Sequence, residues 1–196
     1  MKILYASSEA APFAKSGGLA DVAGALPKAL VRDGIDCRVV MPLYNDLKFK
    51  DTLTYVTNFS VPVGWRSQYC GLFRAERDGV TFYFLDNEYY FKRSGLYGFY
   101  DDGERFAFFA RAILEMLFYT DFEPDIINCN DWQTALTPVY LTSTTVILTS
   151  STASRRSSRS ITSPTRASMA LRSWRIPAAS ASATPMWSNM TAAPTS

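Results

Sequence analysis

KILYASSEAAPFAKSGGLADVAGALPKALVRDGIDCRVVMPL, residues 2–43, is the stretch whose reading decides the fold. Lys2–Ser7 reads as a short buried strand and Ser16-Gly17-Gly18 as a loop. Leu19, Val22, Ala23, Leu26, Ala29 and Leu30 then recur at three- and four-residue spacing, which predicts one apolar face of a helix. Pro27 lies inside that helix and is expected to bend it or remove one hydrogen bond. Gly34 suits the left-handed residue that ends a helix. Cys37–Leu43 is a second strand. Strand, loop, helix and strand in that order form the building block of a parallel α/β sheet.

Working outward, residues 53–63 and 69–87 alternate more weakly and read as strands, with a hairpin turn over Glu76–Gly79. Residues 88–103 are rich in aromatics and glycine, which is loop composition. Glu104–Tyr119 predicts a helix with Phe106, Phe109, Ala110, Ile113, Met116 and Leu117 on one side and Asp101 or Asp102 as its cap. Ile126-Ile127 is a short buried strand and Asp131–Leu141 a further helix. The body, residues 1–141, is therefore expected to be a doubly wound, Rossmann-like α/β sheet.

Composition divides the chain at the same place. All 10 glycines lie between Gly17 and Gly103, and all 18 acids between Glu9 and Asp131. Residues 142–196 carry six Arg and no acid, and 24 of their 55 residues are Ser or Thr. No apolar periodicity runs through them, so they are expected to be a disordered tail. The formal charge of +2 is thus the sum of an acidic body and a basic tail. It gives no reason to expect a nucleic-acid partner, and the sparse Arg of the tail lack interleaved aromatics. No apolar run approaches ~18 residues, so no membrane span is expected. Cys37, Cys70 and Cys129 are too few and too far apart for a zinc cluster or a disulfide framework. A reducing cytoplasm is the expected location. The chain has no His.

Three places carry candidate chemistry. At Lys15-Ser16-Gly17-Gly18-Leu19-Ala20-Asp21, two glycines between a strand and a helix let backbone N–H groups approach an anion, and Lys15 supplies a positive charge. A tight turn with a surface Lys, or a local Lys15–Asp21 pair, reads the same residues without a ligand. At Asn128-Cys129-Asn130-Asp131-Trp132, a carboxylate stands at the carboxyl end of a strand, where open α/β sheets bind ligands. Helix capping by Asn130 or Asp131 over a buried Trp is the alternative there. The Tyr97–Phe99 loop suits sugar stacking, or simple packing on its own domain.

These segments together resemble bacterial glycogen synthases, the ADP-glucose-dependent glucosyltransferases related to plant starch synthases. The resemblance rests on M-K-I-L-Y-A-S-S-E-A-A-P-F-A-K-S-G-G-L-A-D-V-A-G-A-L-P-K-A-L and on D-C-R-V-V-M-P-L-Y. G-L-Y-G-F-Y-D-D-G-E-R-F-A-F-F and P-D-I-I-N-C-N-D-W-Q-T-A-L-T-P-V-Y-L extend it, so that residues 1–141 are covered. It implies the N-terminal half of a GT-B glycosyltransferase, two Rossmann-like domains facing across a cleft. The reaction it implies moves glucose from ADP-glucose to the non-reducing 4-hydroxyl of an α-1,4-glucan with retention, without metal or cofactor. By the same resemblance Lys15, Gly17 and Gly18 meet the donor phosphates, Asp131 lies near glucose and acceptor, and Tyr97 matches an aromatic by the sugar.

The sequence also departs from the family. Asn128 stands where the His-x-Asn-Asp-Trp pattern has its His. The K-T-V-F-T-I-H-N segment expected after residue 141 is missing, as is the C-terminal domain with its basic residues and essential Glu. Residues 155–175 can be encoded so that reading one base earlier gives K-T-V-F-T-I-H-H-I-P-Y-Q-G-V-Y-G-L-E-I-L-E-D, which marks the tail as a frame-shifted translation. The single codons of Met169 and Trp174 each supply the G that this reading needs, and that of Trp187 supplies the G for V-E-Q-Y-D-G-C-x-N over residues 186–195. The chain by itself is expected to be inactive, with a residual glucan or nucleotide-sugar binding module or a non-functional product as the other readings.

Overall fold

The computed structural model describes residues 1–143, and the tail with its expected disorder and frame shift lies beyond them apart from residues 142 and 143. Six strands form one sheet: β1 (Lys2–Ala6), β2 (Asp36–Pro42), β3 (Thr54–Val63), β4 (Arg66–Arg77), β5 (Val80–Asp86) and β6 (Ile126–Cys129). Their order is β3-β4-β5-β2-β1-β6. The four strands β5-β2-β1-β6 pair in parallel, as expected of a Rossmann-like sheet. β3, β4 and β5 pair antiparallel and extend it on one side. Successive side chains of a strand point to opposite faces, and Ile3, Leu4, Tyr5 and Ala6 are all buried, so both faces of β1 are covered.

α1 (Gly18–Arg32) is the crossover from β1 to β2 and packs on β2 and β5. Its inward residues are Ala20, Ala23, Gly24 and Pro27, while Val22 and Leu26 are exposed. This corrects the expected apolar face. The reason is a close approach at the middle of the helix: a Cβ on Gly24 would stand 2.7 Å from the Ala11 carbonyl oxygen, so no side chain fits there, while Leu30 and Val31 still pack on the core nearer its end. Pro27 is accommodated without ending the helix. Gly34, at φ 80, closes it as expected. The Gly34 N–H donates to the Val31 carbonyl and the Ile35 N–H to that of Leu30, the paired bonds of a Schellman end. The hairpin between β4 and β5 falls where the sequence placed it. Asp78 and Gly79 both have positive φ, 52° and 79°, as a two-residue turn matched to strand twist requires.

Residues 88–103, expected as loop, include one helical turn, α2 (Glu88–Phe91), whose N-terminus is capped by Asn87. α3 (Asp102–Glu115) is followed by a 3-10 turn, Met116–Tyr119. Asp101 stands at the N-cap as expected, but its side chain makes no capping hydrogen bond, and Asp102 is the first helical residue. The Asp101 carboxylate is held by Arg93, with N–O distances of 2.9 and 2.7 Å, and that of Asp102 accepts the Gly98 N–H at 2.7 Å. The helix expected from Asp131 is a 3-10 turn, Trp132–Thr134, and then helical residues 136–143, two residues past the boundary at 141. The core is heavily aromatic. Phe13 packs 4.9 Å from both Phe82 and Phe84, and Phe91 meets Phe106, Phe108 and Phe109.

Candidate active site

The carboxyl ends of β1, β2 and β6 share one edge of the sheet. The chain leaving β1 stays buried through Ser7, Ser8 and Glu9. The Ser7 N–H donates to the Val40 carbonyl at 3.1 Å, and its hydroxyl donates to the Glu9 carbonyl at 2.7 Å. Glu9 is only 2% exposed, so its carboxylate needs partners, and it accepts the Ser16 N–H. A Cβ on Gly17 would stand 3.9 Å from the other Glu9 oxygen.

Gly17 and Gly18 are not demanded by the fold. Gly17 has extended backbone (φ −152°, ψ −161°), and a Cβ on Gly18 would meet nothing within 4 Å. Gly17 is the N-cap of α1 and no side chain caps the helix there. The first-turn N–H groups therefore face an uncrowded surface, an arrangement that favours an anion. Lys15 pairs with Asp21, its Nζ 2.7 and 2.8 Å from the two carboxylate oxygens. Both side chains are more than half exposed, 55% and 59%. A pair so solvated is worth about 0–1 kcal/mol, so Lys15 can exchange Asp21 for a ligand anion at little cost.

The Ser16 hydroxyl donates to the Tyr97 hydroxyl at 3.0 Å, bringing the aromatic loop onto the glycine loop. Burial pushes the Tyr97 phenol up, the Ser16 and Ser8 hydroxyls pull it back, and the Glu9 carboxylate adds to the rise. From Tyr97 an aromatic row continues to Phe106 at 6.2 Å and from Phe106 to Trp132 at 5.1 Å. Trp132 is 51% exposed, so it is not the buried Trp of the capping alternative. Asn130 pins this turn beside β1: its N–H and its side-chain amide both donate to the Ala6 carbonyl, at 3.1 and 2.9 Å.

Asp131 follows with φ 63° and ψ 175°, a region almost confined to glycine. One carboxylate oxygen accepts the Trp132 N–H at 2.7 Å, so the capping reading is correct in part. The residue remains exposed at the sheet edge, and a non-glycine residue there costs about 1–3 kcal/mol. Backbone strain of this kind clusters at functional sites. Lys15, Gly17, Gly18 and Tyr97 are thus brought together through Ser16, whereas Asp131 lies apart from them, at the far end of the row Tyr97–Phe106–Trp132. Asn128 is exposed.

Glu9 was not among the residues that sequence singled out, although an acid directly after a buried strand is a signal that it will be buried and partnered. Arg105, fully buried beneath the aromatic loop, was also missed.

Residues 2–152, more than three quarters of the chain, match the profile of the starch synthase catalytic domain. The chain belongs to that family. Its relatives include the glycogen synthase of Clostridium acetobutylicum, 62% identical over 144 residues, which are 72% of this chain and 30% of the relative. The glycogen synthase of Geobacillus thermodenitrificans is 59% identical over 143 residues, with the same coverage of 72% and 30%. The catalytic domain of starch synthase IV from Arabidopsis thaliana, solved with ADP and acarbose bound, is 33% identical. It superposes with a TM-score of 0.65 over 69% of this chain and 29% of that one. The chain spans about 30% of the length of these glycogen synthases. The fold is accordingly the mixed α/β sheet of a GT-B starch synthase catalytic domain. Among the described residues, no helix is long and apolar enough to cross a membrane.

Proposed function

We propose that residues 1–143 form the N-terminal wall of a glycogen synthase site. There, glucose passes from ADP-glucose to the non-reducing 4-hydroxyl of an α-1,4-glucan with retention of configuration. The observation that carries this reading is the bare Gly17-Gly18 turn at an uncapped helix N-terminus. It is flanked by a solvated Lys15 and backed by the Glu9–Ser16–Tyr97 contacts. The Arabidopsis relative, solved with ADP and a sugar analogue, supports it.

In the transfer, the bond from the anomeric carbon to the diphosphate breaks and a bond to the acceptor O4 forms. The acceptor's proton passes to an oxygen of the leaving diphosphate, and ADP departs with the bonding electrons. Negative charge grows on the leaving diphosphate. Lys15 and the first-turn N–H groups at Gly17 and Gly18 neutralise it there, the kind of preorganised electrostatics worth most in a water-excluded cleft. Asp131 accepts hydrogen bonds from sugar hydroxyls and Tyr97 lines the sugar. A single wall neither excludes water nor fixes both substrates, so the 196 residues by themselves transfer no glucose.

We place the chain in the cytoplasm, consistent with three unpaired cysteines. We read residues 142–196 as a frame-shifted tail, which sequencing the coding DNA around codons 140–145 tests. The site is tested by grafting residues 1–143 in place of the matching segment of the Clostridium acetobutylicum glycogen synthase. The chimera should transfer glucose from ADP-glucose, and the Lys15→Met chimera should lose most of that activity. An active Lys15→Met chimera contradicts the assignment. A residual binding module, the second reading, is favoured if the 196-residue chain binds maltohexaose without ADP-glucose.

A further inference from the structure

We infer that Arg105 is the positioning residue for the aromatic side of this site, an inference that rests on the function proposed above. Arg105 is completely buried on α3. Its Nε donates to the Tyr90 carbonyl at 2.7 Å and one terminal nitrogen to the Leu96 carbonyl at 3.3 Å. The other terminal nitrogen pairs with the Asp102 carboxylate. The second Asp102 oxygen accepts the N–H groups of Gly98 and Phe99, at 2.7 and 3.2 Å. The guanidinium plane also lies against Phe99, 4.8 Å from the ring centre, and Phe106, 5.4 Å away.

The consequence falls on one residue. Leu96 is held through its carbonyl by Arg105, and Gly98 through its N–H by Asp102. Tyr97 lies between them, clamped on both sides, and its hydroxyl reaches Ser16 at 3.0 Å. A loop with Gly95 and Gly98, the latter at φ 96°, has little of its own to fix a side chain. The clamp supplies that fixity, and it needs the planar fork of Arg: a Lys ammonium in the same space keeps the charge without the directed bonds. Arg105 touches no ligand position. It acts on the site through Tyr97, and Tyr97 acts on the glycine loop through Ser16.

Amide hydrogen exchange on the 196-residue chain tests this without any ligand. In Arg105→Lys, exchange at Gly98, Phe99 and Ser16 should rise by about tenfold or more while Val39 and Val40 in β2 keep their protection. In Tyr97→Phe, which leaves the clamp intact, only Ser16 should accelerate. A uniform rise at every amide in Arg105→Lys, as a merely structural role would give, overturns the inference. So does a loss of protection of about tenfold at Gly98 and Phe99 in Tyr97→Phe, which would place the fixity in the Tyr97 hydroxyl rather than in the clamp, whether or not Arg105→Lys folds. Titrating ADP-glucose into the same samples tests the function separately, since the exchange pattern does not depend on a ligand.

Discussion

The glycine loop, residues 15–18, and the aromatic loop, residues 92–100, meet at a hydrogen bond between Ser16 and Tyr97, yet they are built in opposite ways. The aromatic loop is stapled from beneath by a buried Arg105–Asp102 pair and at its end by Arg93–Asp101. The glycine loop has a solvated Lys15–Asp21 pair, an uncapped helix end and a glycine with open space around it. One loop is spent on being held in place and the other is left bare. In a site of this kind the bare surface is where a ligand's charge can be received, and the stapled surface is what keeps its shape while that happens.

Substitutions that exchange these characters should differ sharply in cost. Arg105→Met, which leaves the Asp102 carboxylate largely buried without its cation, should lower stability by about 3 kcal/mol in denaturant titration. Gly24→Ala should cost about 2 kcal/mol, because the new Cβ would press on the Ala11 carbonyl oxygen. Gly18→Ala, by contrast, should change stability by no more than about 0.5 kcal/mol while weakening anion binding. Asp131→Gly should raise the unfolding free energy by about 1 kcal/mol by removing backbone strain, at the expense of sugar binding measured by calorimetry.

The smallest difference is one of pH. The hydrogen bond from Arg93 holds the Asp101 carboxyl below the usual aspartate range. A carboxylate with a lowered folded value adds stability that is fully present above its unfolded pKa of about 3.9 and is lost as pH falls through the folded value. Exchange protection of the aromatic loop should therefore decline on acidification below about pH 4. Asp101→Asn should flatten that decline.

Much of this was legible in the chain. The spacing over residues 2–43 specified strand, helix and parallel strand, Gly34 marked the helix end, and Glu76–Gly79 marked the hairpin, which turns at Asp78 and Gly79. The inward face of α1 was not legible, since it is set by the distant Ala11 backbone pressing on Gly24, a contact no periodicity records. The candidate site divides in the same way. Lys15, Gly17, Gly18, Tyr97 and Asp131 were visible as residue types in suggestive places, whereas Glu9 and Arg105 gain their meaning from partners brought together by the fold. Arg105 has one local partner, Asp102 three residues earlier, but its Tyr90 and Leu96 contacts, like the Ser16 contact of Glu9, are made only by the fold.

Isothermal titration of ADP-glucose into the chimera that carries residues 1–143 in the Clostridium acetobutylicum glycogen synthase, as the parent chain, and into its Lys15→Met variant bears most directly on the claim that the glycine loop receives a diphosphate. Saturable binding to the parent chain, weakened about tenfold or more in Lys15→Met, is the expected result, since a charge-assisted bond to phosphate is worth about 1.5–3 kcal/mol. No saturable heat with the parent chain, or equal affinity in the two proteins, would contradict it.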